Sequence, residues 1–236
     1  MMFSFTEFGF LADGSQGMVG SLMEFLATGG YVMLLIVLCS FAAVTSMILV
    51  GLQLREREIM PPAVVSQLKS VPNYAIKGDI RPLQDFLERD GSMLSRLGGL
   101  AVSGNYSSRE DCAEACAARA KEELHGLERG MPVLEAMVTV APLLGLMGTT
   151  VALVGMFTAF GAGAEGADTN EVAREIGVAL KCTIAGLFVA VPSVLAHTYF
   201  GRRLDTVAVR LETLLQETIH QFFTHFEVQR APDQRG

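Results

Sequence analysis

Residues 141–150 read Ala-Pro-Leu-Leu-Gly-Leu-Met-Gly-Thr-Thr and lie inside a stretch from 136 to 164 that contains no charged residue. That stretch is longer than the roughly 20 apolar residues with which a helix spans a bilayer. Two further charge-free stretches run from 25 to 54 and from 182 to 201. The sequence therefore predicts an all-α integral membrane protein. We expect its three transmembrane helices at 30–54, 133–160 and 172–200.

Small residues recur along the second predicted span at intervals of four and three, which places them on one helix face. They are Ala141, Gly145, Gly148, Ala152 and Gly155. A stripe of this kind lets another helix backbone approach closely. The third predicted span carries a similar stripe that includes Ala179, Gly186 and Ala190. These eight residues are the predicted helix-packing residues. Pro142 and Pro192 interrupt the same two spans, and we expect a kink at each.

Hydroxyl side chains accompany both stripes. Thr149 lies beside the first stripe, Thr150 is turned about 100° further round the helix, and Thr183 lies on the second stripe. A membrane threonine can simply bond back to a carbonyl of the preceding turn and have no further role. Because two spans carry the same combination of small residues and hydroxyls, we expect the two helices to form a tight layer that lines something.

Charge placement predicts the orientation of the chain. Most of the 18 Lys and Arg residues lie in the segment after the first span or after the third span. By the positive-inside rule these segments are cytoplasmic. The predicted segments are an outward amphipathic segment at 1–29, a cytoplasmic helical region at 55–132, a short periplasmic loop at 161–171 and a cytoplasmic C-terminal helix at 201–236.

The cytoplasmic region shows one helix start. Ser107 and Ser108 precede Glu110 and Asp111, which is the signature of a capping box. We expect the helix that follows to continue through Gly130 and Pro132 into the second span. The first span lacks a small-residue stripe, and we expect it to face lipid.

Composition excludes several classes of function. The formal net charge of −7 gives no basic footprint for nucleic acid. The sequence contains no nucleophile–base set, so we do not expect an enzyme, and it suggests no cofactor or metal. Cys112 and Cys116 lie four residues apart, but no second Cys or His pair accompanies them. Reduced structural thiols are the favoured interpretation.

The two glycine-rich spans resemble the signature of the MotA/TolQ/ExbB proton channel family. The matching residues are 141–149 with Gly155-Met156-Phe157 and Phe160, then Ala179-Leu180, Thr183 and 186–192. The predicted order of three spans, with a large cytoplasmic insertion after the first, is most similar to the TolQ/ExbB branch of that family.

The resemblance implies a homopentamer around a central pore in the bacterial inner membrane, with a periplasmic N-terminus and a cytoplasmic C-terminus. It implies a partner similar to ExbD or TolR, with one span that supplies a carboxylate, and a further TonB- or TolA-like protein. Membrane lipids complete the set of expected partners. The family's two pore threonines match Thr149 and Thr183, where they would guide a proton. Thr150, which follows Thr149 directly, is a further pore-lining candidate.

The chain departs from the family at one position, because Val178 stands where some members carry a glutamate. Glu175 lies one turn earlier and Lys181 two residues before Thr183, and both are candidate pore-mouth charges. The alternative is ion pairing for Glu175, and ion pairing or snorkelling to the membrane interface for Lys181. No Asp or Glu occurs at 136–164 or 182–201, so a proton path through this chain alone is incomplete. This gap independently predicts a carboxylate from another polypeptide.

The expected function is that of a proton-channel or motor subunit that couples the proton motive force to envelope work such as TonB-dependent transport. The alternatives are a subunit for Tol-type envelope maintenance, a gliding or secretion motor, and a membrane scaffold that conducts no ions.

Overall fold

The computed structural model describes residues 30–77, 79–161 and 169–230, and all regular structure in these ranges is helical. The predicted outward segment 1–29 and most of the predicted loop 161–171 lie outside them. The helices in the described ranges are α1 (Gly30–Gln53), α2 (Glu56–Ile59), α3 (Pro62–Lys69), α4 (Val71–Lys77), α5 (Arg81–Asp90), α6 (Met93–Ala101), α7 (Arg109–Leu127), α8 (Met131–Gly161) and α9 (Thr169–Arg230).

Three of the described helices are long and apolar enough to cross a membrane. They are α1, the Met131–Thr158 part of α8 and the Val172–His225 part of α9. The prediction of an all-helical protein with three candidate spans is thereby confirmed for the part of the chain that the structure describes. The third candidate span and the predicted C-terminal helix form one helix, since α9 runs without a break past Gly201.

One predicted continuation is wrong. Helix α7 ends at Leu127 and α8 begins at Met131, so a turn separates the two helices. In that turn the amide of Met131 donates to the carbonyl of Glu128 over 2.8 Å. Pro132 follows directly, and because it has no amide hydrogen it fits the first turn of a new helix better than the interior of a long one.

The first of two compact units comprises Met1–Ser46 and Val133–Ala196. Within it, α1 is buried on one face at Val32, Met33, Ile36 and Ala43. The opposite side of α1 carries exposed apolar side chains, among them Leu34, Leu38 and Phe41. The prediction that this helix faces lipid is therefore wrong for its buried side and stays a prediction for the exposed side.

The second unit comprises Met47–Pro132 and His197–Gly236. Its core combines α3 and α5–α7 with the later part of α9, through buried residues such as Leu68, Leu83, Leu97, Cys112 and Leu211. These aliphatic side chains are withdrawn from solvent, and burial of this kind contributes roughly 1.5–3 kcal/mol for each large side chain. The short helices of this unit are therefore held by a common core.

Local signals set the helix starts in this unit. The hydroxyl of Ser108 accepts a hydrogen bond from the amide of Asp111 over 3.0 Å, so Ser108 is the N-cap of α7. Ser92 caps α6 in the same way through the amide of Ser95. Gly91 ends α5 with a φ of 65°, a conformation that favours glycine.

Arg96 ties three of these elements together. Its guanidinium donates to both carboxylate oxygens of Glu123 on α7, over 3.1 and 2.6 Å, and to the carbonyl of Gly91 over 2.7 Å. Arg119 adds a contact of 3.3 Å to the same carboxylate. The hydrogen bond from Arg96 lowers the pKa of Glu123, and the same bond raises the pKa of Arg96.

We expect Glu123→Gln to lower the free energy of unfolding by about 1 kcal/mol at neutral pH, the usual size for a partly exposed pair. Because the pKa of Glu123 is lowered on folding, its stabilisation is complete above the ordinary value of 4.5 and is lost as the pH falls through the folded value. The difference between the thermal midpoints of the original protein and the Glu123→Gln variant should therefore narrow below that pH.

Glu122→Gln is the control, because Glu122 is exposed and pairs only across one turn with Arg119. Its midpoint should differ little from the original at any pH. A constant gap for Glu123→Gln from pH 7 to pH 4 would contradict the assignment.

Candidate functional site

Helices α8 and α9 approach each other closely at Gly186. A Cβ atom added there would lie 2.6 Å from the carbonyl oxygen of Ala141 and 3.1 Å from the Cα atom of Gly145. Both are backbone atoms of α8, which cannot move aside as a flexible side chain can. Only a residue without a side chain permits this approach, so Gly186 brings the two backbones into contact.

Gly145 and Gly148 complete the contact from the α8 side. A Cβ added to Gly145 would lie 3.1 Å from the carbonyl oxygen of Cys182 and 3.2 Å from the Cα atom of Thr183. A Cβ added to Gly148 would overlap the Cβ of Cys182 and would lie 3.4 Å from Val32 on α1. Three helices therefore meet where the small residues of α8 lie.

Most of the predicted helix-packing residues are buried within the chain. The buried ones are Ala141, Gly145, Gly148, Ala152, Ala179, Gly186 and Ala190. Gly155 is exposed, and the nearest atom to a Cβ built on it is a carboxylate oxygen of Glu175, 3.9 Å away. Helices α8 and α9 continue through Pro142 and Pro192.

The three candidate pore-lining threonines lie beside this contact. Thr149 and Thr183 are half-buried, whereas Thr150 is exposed. The hydroxyls of Thr149 and Thr150 donate to carbonyls three residues earlier, over 2.7 and 2.8 Å. The hydroxyl of Thr183 lies 3.5 Å from the carbonyl of Ala179, at the long limit of a hydrogen bond. Of the three, Thr183 is the least committed to its own helix.

The two candidate pore-mouth charges occupy different surroundings. The carboxylate of Glu175 is largely covered, with its side chain 25% exposed, and it pairs with Arg174 over 3.2 Å. Lys181 is exposed. The pairing of Glu175 agrees with the alternative that this residue has a structural role.

Two participants in the contact were not singled out from the sequence. Val32 brings α1 against Gly148, and Cys182 fills the space opposite the same glycine. The buried positions of α1 do have a signal, because Val32, Ile36, Ala43 and Ser46 are separated by four, seven and three residues. That spacing defines one helix face. Because the face has no glycine stripe, the sequence gave no reason to expect that it packs on another helix rather than contacts lipid.

The chemistry available at this contact is that of hydroxyls and backbone carbonyls. A hydroxyl both donates and accepts hydrogen bonds, so it can orient water or a carboxyl group. It cannot carry a proton as a titrating acid at neutral pH. Between 136 and 164 and between 182 and 201 the sequence contains no carboxylate. The two stretches therefore offer hydroxyls and carbonyls at this contact but no carboxylate that could carry a proton.

The cysteine pair of α7 shows no features of a metal site. Within the described residues, no three or more His, Cys, Asp or Glu side chains are grouped so that they could hold a metal ion. Cys112 and Cys116 are buried, and burial raises the pKa of Cys116 to about 12. A metal-binding cysteine must lose its proton, so this surrounding favours protonated structural thiols.

The region that contains these residues matches a known protein family. The model of the MotA/TolQ/ExbB proton channel family matches residues 82–213. The chain is 35% identical over 97 residues to the biopolymer transport protein ExbB of Xanthomonas campestris pv. campestris strain B100, which covers 41% of this chain and 38% of the relative. It is 34% identical over 109 residues to exbB1 of Vibrio cholerae, which covers 46% of each.

Relatives that carry the name TolQ match the chain to a similar degree. The Tol-Pal system protein TolQ of Pseudomonas aeruginosa is 31% identical over 124 residues, which covers 52% of each chain. All of these matches span less than two thirds of the relatives' lengths.

Proposed function

The chain belongs to the MotA/TolQ/ExbB proton channel family, and from this premise we propose that it is a subunit of an inner-membrane complex that uses the proton motive force for work on the cell envelope. The observation that carries the proposal is the family match over residues 82–213. The match includes all of α8 and most of α9, and therefore the glycine contact and the three threonines. The family is one of proton channels and transport subunits rather than enzymes.

The physical need for a partner supports the proposal. A bare charge in the hydrocarbon core is costly, so a proton crosses it on a titratable group in a polar seam. The threonines offer hydroxyls beside the contact of α8 and α9 but no acid. In the proposed mechanism a single-span protein similar to ExbD or TolR supplies the carboxylate. Thr149, Thr150 and Thr183 orient that carboxylate and its water.

The proposed assembly is a homopentamer with α8 and α9 around a central pore. Exposed apolar residues on these helices, such as Leu146, Val154 and Phe188, leave broad faces for neighbouring copies or for lipid. The distribution of Lys and Arg supports an outward N-terminus and a cytoplasmic C-terminus. Protonation of the partner's carboxylate would then turn or shift the partner, and force would pass to the envelope through a TonB- or TolA-like protein.

Two kinds of work are supported by the relatives' names. ExbB relatives support a role in biopolymer transport, and TolQ relatives support a role in a Tol-Pal system. The identities of both groups lie in the same range, so the proposal extends to proton-driven envelope work, with TonB-dependent transport first and Tol-type maintenance second.

The proposal is tested by proton flux into liposomes that contain this chain alone, its single-span partner alone, or both together. Flux should require both proteins, because the carboxylate and the hydroxyl-lined path are on different chains. Equal flux through this chain alone would contradict the shared path. A complex that assembles with the partner but conducts no protons would support the scaffold alternative instead.

A further inference from the structure

A basic face on α9 follows the last charge-free stretch of the chain. Tyr199, Arg203, Thr206 and Arg210 are separated by four, three and four residues, so they lie along one side of the helix. Arg202 lies at the edge of the same side. We call these five residues the arginine face. The chain as a whole has a net charge of −7, so this positive patch is a local feature.

The arginine face borders a shallow depression that is largely open to its surroundings. Its volume is about 400 Å³, and the five residues line it together with Val207. The lining includes three guanidinium groups and no carboxylate. Arg203 donates a hydrogen bond from Nη1 to the Tyr199 hydroxyl over 3.1 Å. The Tyr199 ring packs edge-on against the Phe200 ring, with the two ring centroids 5.4 Å apart. The depression therefore combines positive charge, hydroxyl groups and an aromatic ring.

Packing on another side of α9 fixes the direction of this face. Leu204 is buried in a cluster with Val50 and Leu54, and Phe200 packs against the same cluster. A Cβ atom added to Gly51 would lie 3.5 Å from the Phe200 ring. Because this contact occupies the neighbouring side of the helix, the exposed Arg202 and Arg210 are left on the outer side.

The position of these arginines in the sequence indicates what surrounds them. Residues 182–201 carry no charged side chain, and Arg202 is the first charge after them. At the end of a membrane helix, the next turns reach the depth of the lipid headgroups, where tyrosine is also enriched. Anionic lipids attract basic residues at this depth. Guanidinium groups suit phosphate oxygens because they present several donors in one plane.

We propose that the arginine face binds the phosphate headgroup of an anionic phospholipid, such as phosphatidylglycerol. Arg202 and Arg210 contact the phosphate, and the Thr206 and Tyr199 hydroxyls bond to its oxygens or to the glycerol. The proposal requires that α9 crosses the membrane, but it does not require proton conduction. The lipid site and the proposed proton conduction can therefore fail separately.

The test uses the full chain in mixed detergent micelles that contain phosphatidylglycerol or phosphatidylcholine, with bound lipid counted by native mass spectrometry. The original chain should prefer phosphatidylglycerol. The preference should fall by about five-fold for each arginine removed in Arg202→Gln/Arg210→Gln. The control is Arg81→Gln/Arg89→Gln, which removes the same charge from exposed positions on α5 and should keep the preference.

Three results would overturn the proposal. One is an unchanged preference in the Arg202→Gln/Arg210→Gln protein. Another is displacement of the lipid by an equal concentration of inorganic phosphate, which would indicate a site for free anions. The third is a loss of oligomer in that variant with an unchanged lipid preference, which would assign the face to contacts between copies.

Discussion

Gly186→Ala is expected to destabilise the protein by about 1–3 kcal/mol, the usual cost of forcing an extra methyl group into a packed interior. The new Cβ would lie 2.6 Å from the Ala141 carbonyl oxygen. Since that oxygen belongs to the backbone of α8, the strain can be relieved only if the two helices move apart. Separation would also loosen the packing around Thr183, so the variant should lose proton flux as well.

The stability change can be followed in detergent with a dye that reacts with exposed thiols. Cys112, Cys116 and Cys182 are buried, so they become reactive only when the protein opens. Gly177→Ala is the control on the same helix, because a Cβ added there meets no atom within 4 Å. Gly145→Ala, with its nearest backbone atom at 3.1 Å, should fall between the two. Equal midpoints for Gly186→Ala and Gly177→Ala would contradict the close contact.

Thr183→Val is expected to lower partner-dependent proton flux by at least about ten-fold while the protein stays folded. Valine has nearly the shape of threonine, so the change removes a hydroxyl with little effect on packing. The hydroxyl of Thr183 makes only a 3.5 Å contact to its own helix, so little stability is lost with it. A loss of about 1.4 kcal/mol in the transition state for proton transfer corresponds to the ten-fold effect.

Thr45→Val provides the control, because Thr45 is an exposed residue of α1, outside the two helices that share the glycine contact. It should conduct as the original does. The thermal midpoint is measured for both variants in the same preparations. Flux within two-fold of the original in Thr183→Val would remove Thr183 from the proton path. A lowered midpoint or a broken oligomer with no change in flux per assembled complex would support a cementing role.

The sequence predicted the helical class and the three candidate spans, because each rests on a local pattern. Charge-free length decides a span, and the spacing of small residues decides where two backbones can meet. Gly145, Gly148 and Gly186 lie in the contact for this reason. Ser108 was recognisable as a cap because the acidic residues of the first turn follow it.

Other features depend on the three-dimensional arrangement and have no such pattern. Gly155 continues the stripe of α8 but is exposed within the chain, and the nearest atom to a Cβ built on it is a carboxylate oxygen of Glu175. The packing of Val32 on Gly148 depends on which side α1 presents. The three-way link of Arg96 joins residues up to 27 positions apart, and charge spacing along one helix cannot predict it.

A structure of the assembled complex in a lipid bilayer, determined by electron cryo-microscopy, is the most direct measurement of how this chain works. We expect several copies to surround a central opening, with Thr149 and Thr183 of each copy facing a carboxylate on the partner's helix. If both threonines instead face lipid and no opening separates the copies, the proposed proton path does not exist.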